Sequence, residues 1–260
     1  MPLILTYHAI EATRSPLCCD PGLFTAHADI IAETRLRSVT IRELAKALAA
    51  GIAQDAVAIT FDDGFANAVE HAAPLLEERG LTATIFCVAG HLGGTNDWPS
   101  ARDRGPRARL ASASMLEALA TEGFEIGSHG MEHAPLTGAS EATLLQELST
   151  SRTVLEDAVG TSVTSFAYPY GALPGGAGRN AVRQSYDAAC TTALRRVSAD
   201  DDPLLLPRID AHYVRDPDLL RRALEGGLRA YLRARSLGAR GRRRIVKDYT
   251  RGNPRRSLSE

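Results

Sequence analysis

Ala56-Val57-Ala58-Ile59-Thr60-Phe61-Asp62-Asp63-Gly64 is the stretch that decides how this chain is read. Its apolar start reads as a buried strand, and two adjacent carboxylates close it. Side-by-side carboxylates repel unless a cation or a shared proton relieves them. The pair therefore points to a metal site with a base beside it. Asp-Gly is also a common turn dipeptide, so a plain strand-end turn accounts for the same residues. The rest of the chain has to separate the two.

Outward from this stretch, strand and helix patterns alternate. Leu3 to Tyr7 is a first strand, and Pro21 to Ala50 reads mostly as helix. After the strand Val57 to Phe61, helical sequence runs from Phe65 to Arg79. There Pro74 marks a break or a new first turn, and Gly80 terminates. Thr82 to Val88 is β-branched and apolar, hence a strand. Gly90 to Leu110 is rich in Gly, Pro, Arg and Asp and reads as a long surface loop, holding the only tryptophan, Trp98. Ser114 and Glu117 have capping-box spacing, Gly123 closes that helix, and Phe124 to Gly127 is a short strand. A longer helix runs from Ser140 to about Val159 and stops at Gly160. Val163 to Ala167, Tyr186 to Thr192 and Leu204 to Ile209 are further strands, and Asp216-Pro217 caps a last helix through Leu224. This alternation predicts an α/β fold with a parallel sheet, open or closed into a barrel. In such folds chemistry gathers at the C-terminal ends of strands, where the acidic pair sits.

At 260 residues, one domain is the simplest account. The net charge of −1 conceals an asymmetry: from Arg229 onward there are eleven basic and two acidic residues. Residues 1–235 are expected to form the catalytic domain and 236–260 a flexible basic tail. That tail reads first as a solvated terminus, and secondarily as a contact for an anionic membrane surface; no nucleic acid is expected. Four cysteines without CxxC spacing fit free buried thiols in a reducing compartment. Met1 to His8 lacks a basic n-region and reads as a core strand, and no apolar run approaches the roughly 20 residues of a membrane span. The expectation is a cytoplasmic protein.

Three more segments fall at strand ends. In Ser128-His129-Gly130-Met131-Glu132-His133, two histidines four apart can supply two imidazole ligands. With one carboxylate of the acidic pair they make an Asp-His-His set with open positions, the other carboxylate serving as base. In Phe166-Ala167-Tyr168-Pro169-Tyr170-Gly171, Pro169 stiffens a turn whose Tyr170 N–H can face a developing oxyanion. In Leu206-Pro207-Arg208-Ile209-Asp210-Ala211-His212, Arg208 can orient a carboxylate and His212 can act as general acid. Each has an ordinary alternative: surface or capping histidines, an aromatic turn, a structural ion pair, a loop histidine.

The ordered set TFDDG, SHGMEH and FAYPYG resembles the polysaccharide deacetylases, the NodB-homology domain of carbohydrate esterase family 4. ITFDDGFANAVEHAAPLLEERGLTATIFCV and the late LPRI resemble the family too, over roughly Leu3 to Leu224. Three motifs in order are jointly far more specific than any one. The resemblance implies a distorted (β/α) barrel. It implies Asp62 as base, Asp63, His129 and His133 as ligands of a divalent metal, most simply zinc, and Pro169 and Tyr170 at the substrate groove. Two departures stand out. Many family members carry an arginine three residues before the motif proline, where this chain has Phe166, so Arg208 is the candidate to steady the base. The usual late Leu-x-His is not clear, which leaves His212 as a loose substitute and His8, in Leu5-Thr6-Tyr7-His8, as a further site candidate.

The activity this implies is hydrolysis of an N-acetyl group on an amino sugar, in a glycan, an oligosaccharide or a glycan precursor, with release of acetate. Tyr168, Tyr170 and Trp98 lean towards a sugar, since aromatic faces pack on sugar rings, although loop packing explains them equally. Two other readings stay open: an amidohydrolase of a small non-sugar amide, and a catalytically silent glycan-binding relative.

Overall fold

The computed structural model describes residues 1–52, 55–98 and 107–236. Beyond Ser236, the expected basic tail lies outside the described residues. The strands are β1 (Leu3–Tyr7), β2 (Ala9–Ile10), β3 (Cys18–Cys19), β4 (Arg37–Ser38), β5 (Ala56–Phe61), β6 (Ala83–Cys87), β7 (Glu125–Ser128), β8 (Ser165–Ala167), β9 (Ala188–Cys190) and β10 (Ile209–Asp210). The helices are α1 (Pro21–Ala32), α2 (Ile41–Ala49), α3 (Ala66–Glu78), α4 (Ala113–Thr121), α5 (Glu141–Leu144), α6 (Ser151–Val159), α7 (Gly176–Ser185) and α8 (Pro217–Leu224).

The main sheet is parallel throughout and runs β10-β1-β5-β6-β7-β8-β9, with β4 beside β5. Its two ends meet at a parallel bridge between Cys190 and Leu206, just before β10. The result is the distorted (β/α) barrel. Buried strands such as Leu3–Tyr7 and Ala56–Phe61 read as continuous apolar runs because a parallel sheet covered by helices has no wet face. The helices lay apolar faces on this sheet, as α2 does with Ile41, Leu44, Ala45 and Leu48, its start fixed by a Thr40–Glu43 capping box. All four cysteines are buried and free. Among the described residues no helix is long and apolar enough to cross a membrane.

Several local expectations are corrected. Pro21 to Ala50 is two helices around β4. Helix α3 runs straight through Pro74, because losing a single backbone bond is outweighed by the buried face of Ala68, Ala72, Ala73 and Leu76. The cap of α4 is Ser112, whose hydroxyl accepts from the Met115 N–H, so Ser114 lies inside the helix. The long helix after Ser140 is interrupted by a π-helical turn at Leu145–Thr150. Leu204 to Ile209 is not one strand: a 3-10 turn at Pro203–Leu205 precedes the short β10. Proline has no N–H for a ladder, and Pro203 and Pro207 bracket this segment.

Candidate active site

The site is built where three parallel strands run out. The Asp62 N–H donates to the Tyr7 carbonyl at 3.0 Å, the His129 N–H to Cys87 at 2.8 Å, and the Tyr168 N–H to Cys190 at 3.0 Å. Each bond carries sheet pairing one residue past a strand, so the motifs leave the barrel at a common level. Gly64 then turns the chain at φ 73°, a conformation that strains other residues, and a Cβ there would be crowded, 3.1 Å from the Cys87 sulfur and 3.2 Å from its Cα.

Asp63, His129 and His133 converge and are all buried. The Asp63 Oδ1 lies 3.5 Å from the His129 Nε2 and 3.3 Å from the His133 Nε2, and the two Nε2 atoms are 3.2 Å apart. A tetrahedral ion bound at about 2.0–2.1 Å needs donors roughly 3.3–3.4 Å apart, so the three atoms fit one face of such a site. The tautomers suit it as well. The His129 Nδ1 lies 2.8 Å from the Ala167 carbonyl, which can only accept, so the proton sits on Nδ1 and Nε2 keeps its lone pair. The His133 Nδ1 is held at 2.6 Å by the Tyr170 hydroxyl.

Beside this face lies the second carboxylate. The Arg208 Nη1 and Nη2 donate to the two Asp62 oxygens at 2.6 and 2.7 Å, while Nε donates to the Thr191 carbonyl at 3.1 Å. The guanidinium is buried and lies over the Phe86 ring. Arg208 lies just before β10, which pairs with β1 as β1 pairs with β5, and its long side chain reaches from there to Asp62 just past the end of β5. The two adjacent aspartates are thereby split. Burial raises the Asp63 carboxyl above its ordinary value. Burial works on Asp62 as well, but the charge of the Arg208 guanidinium and its bonds hold that carboxyl well below the usual carboxylate range. A cation held by Asp63 would reverse its shift, since the ion's charge favours the ionised carboxylate.

Among the described residues, the non-glycine residues at positive φ are Asp63 (69°), His133 (55°) and Tyr170 (58°). All belong to this cluster. Such backbone costs about 1–3 kcal/mol per residue and concentrates at functional sites.

Phe166, three residues before the motif proline, is core: it stacks on Tyr186 and meets Tyr168 edge-on. Tyr168 is only 1% exposed and donates its hydroxyl to the Leu204 carbonyl, so it packs the interior and presents no face to a groove. Trp98, expected on a surface loop, is 4% exposed; its ring lies 4.7 Å from that of His133 and edge-on to His91. It buttresses the imidazole. Pro169 is buried in the turn that presents Tyr170. His8 is half-buried, one residue past the Tyr7 carbonyl that takes the Asp62 N–H. His212 is exposed on the 3-10 turn Ala211–Val214, its N–H bonded to Asp210.

Sequence reasoning passed over Glu147. This buried residue of the π turn accepts backbone N–H bonds from Met131 (3.0 Å), Glu132 (3.0 and 3.3 Å) and Ala134 (3.4 Å). Burial raises its carboxyl, against the pull of these bonds. In sequence it is one glutamate in a polar helix; a glutamate beside a buried leucine on the inner face is the sole local signal.

A parallel (β/α) barrel with an Asp-His-His face and a partnered aspartate at its C-terminal mouth defines a class of hydrolase site. The family model for polysaccharide deacetylases matches residues 51–189, more than half of the chain, and the chain belongs to that family. It is a hydrolase of carbon–nitrogen bonds other than peptide bonds. YxkH of Bacillus subtilis strain 168, named for polysaccharide deacetylation, is 26% identical over 208 residues, 79% of this chain and 70% of that protein. The poly-beta-1,6-N-acetyl-D-glucosamine N-deacetylase of Staphylococcus aureus strain MRSA252 is 30% identical over 124 residues, 44% of this chain and 40% of that enzyme. In structure the chain is similar to the Streptococcus pyogenes deacetylase PplD solved with acetate: TM-score 0.73, 23% identity, covering 85% of this chain and 97% of PplD. IcaB from Ammonifex degensii has a TM-score of 0.67 at 20% identity, covering 86% and 95%.

Proposed function

We propose that this chain removes the N-acetyl group from an amino sugar in a glycan, oligosaccharide or glycan precursor, releasing acetate. The carrying observation is the division of the acidic pair: Arg208 holds Asp62, while Asp63 faces His129 and His133. The names of the similar proteins, an N-acetylglucosamine polymer deacetylase among them, support the sugar.

Asp63, His129 and His133 would hold a divalent cation, and one carboxylate with two imidazoles is a donor set that catalytic zinc takes. Such an ion, when bound, polarises the acetamide carbonyl and makes water a better nucleophile. Asp62 then takes a proton from the attacking water. Its depressed basicity means that it does so only as that water becomes acidic, and Arg208 keeps its oxygens aimed. The Tyr170 N–H faces the oxyanion that develops as the carbon–oxygen bond forms. The carbon–nitrogen bond breaks when the amine gains a proton, because a free amide anion is too poor a leaving group. His212 was the donor suggested by sequence. His8 is the second candidate, half-buried just past β1, whose Tyr7 carbonyl takes the Asp62 N–H.

The test is acetate release by the zinc-loaded protein from N-acetylglucosamine oligomers of increasing length, with β-1,6-linked oligomers first, beside small non-sugar amides. Release confined to small amides would replace the sugar reading with an amidohydrolase. No release from any of them would favour a silent glycan-binding relative. His8→Gln and His212→Gln in parallel identify the donor by which one loses turnover.

A further inference from the structure

We infer that Glu147 is a positioning residue for the metal-binding loop, a buried anion around which residues 129–134 are wound. The inference rests on the metal reading of Asp63, His129 and His133. The loop that presents both histidines carries several backbone N–H groups in a partly buried place, where an unpaired donor is costly. Glu147 satisfies three of them, at Met131, Glu132 and Ala134. A fourth, Gly130, donates to the Ser128 hydroxyl at 3.2 Å. That hydroxyl pairs with Ser151 at 3.0 Å, and Ser151 donates to the Glu147 carbonyl at 2.6 Å. One residue therefore holds the loop through its side chain and, by way of two serines, through its backbone.

Successive N–H groups curled on one anion form a concave nest, a geometry that fixes the backbone between them. Here the backbone being fixed includes His133 at φ 55°. The approach is close enough to exclude a side chain from Gly130: a Cβ there would lie 2.4 Å from the Glu147 Oε2. The carboxylate sits in the π-helical turn Leu145–Thr150, which buries Glu147 and Leu148 side by side. Such turns are rare and recur at functional sites. A carboxylate has the right chemistry, with two acceptor oxygens and no donor. An amide would turn an N–H towards at least one loop N–H.

The experiment measures zinc affinity without substrate, by competition against a chromophoric chelator, for wild type, Glu147→Gln, Glu147→Ala and Leu155→Ala. Residues that hold a metal's ligands in place typically govern affinity by about 10- to 100-fold. Glu147→Ala is expected to lose that much and Glu147→Gln less. Leu155→Ala, a buried change on α6, is expected to lower the melting temperature with zinc affinity unchanged. Wild-type affinity in both Glu147 variants would overturn the inference, as would an equal loss in Leu155→Ala. Should Glu147→Ala fail to fold, Glu147→Gln decides alone. A wild type that binds zinc yet releases no acetate, with the Glu147 loss intact, supports this inference and sinks the deacetylase reading.

Discussion

The Arg208 guanidinium grips the Asp62 carboxylate with two bonds of 2.6 and 2.7 Å across 146 residues of chain. Both groups are buried, so neither has water to fall back on. Breaking such a pair by removing one partner costs about 3–5 kcal/mol, because a charge is stranded. Arg208→Met is expected to destabilise by that order in urea denaturation. Arg208→Lys, which keeps the charge but loses the fork, is expected to fall between. Wild-type stability in both would mean that the pair is not formed in solution.

Asp62→Asn is expected to retain zinc and to lose acetate release by about 100-fold or more, the usual span for a missing base. Zinc content by atomic absorption and acetate by coupled assay separate the two effects. Near-normal turnover would remove Asp62 from the proton transfer. His129→Ala and His133→Ala should each lose zinc, and unchanged metal content in both would end the triad assignment.

Tyr170→Phe removes the hydroxyl that holds the His133 Nδ1 at 2.6 Å. Zinc affinity is expected to drop about 10-fold. Stability should change by under about 1 kcal/mol, since the ring and its contacts remain. Chelator competition and thermal melting check the two halves. A large melting change with intact affinity would make Tyr170 a packing residue instead.

His27 gives the fold a pH dependence of its own. Its Nε2 lies 3.1 Å from the Arg215 carbonyl and its Nδ1 2.9 Å from the Tyr7 hydroxyl. The carbonyl can only accept, so the proton is on Nε2 and Tyr7 donates to Nδ1. Burial lowers the imidazole below its ordinary value of 6.5, the charge of Arg215 adds to this, and the bond to the Arg215 carbonyl opposes it. Above that value both folded and unfolded states are neutral here. As pH falls below it, the unfolded chain binds the proton first, so stability drops until the folded imidazole also titrates. The slope is at most about 1.4 kcal/mol per pH unit. Urea midpoints from pH 8 to 5 should fall for wild type and fall less for His27→Gln. Parallel curves would show that His27 takes its proton equally in both states.

Sequence by itself determined the alternation of strands and helices, the strand-end position of Asp62 and Asp63, and the candidate ligands His129 and His133. These are local patterns: apolar runs, turn glycines and fixed short spacings, all set by backbone period and sterics. It even singled out Arg208 as a partner for the base, though only as one candidate. Tertiary structure decided what depends on register between distant strands. It joined Arg208 to Asp62, turned Tyr168 and Trp98 inward, carried α3 through Pro74, and set Glu147 under the histidine loop. No short-range rule states which donors will be buried together, because burial is a property of packed elements and not of the residues one at a time.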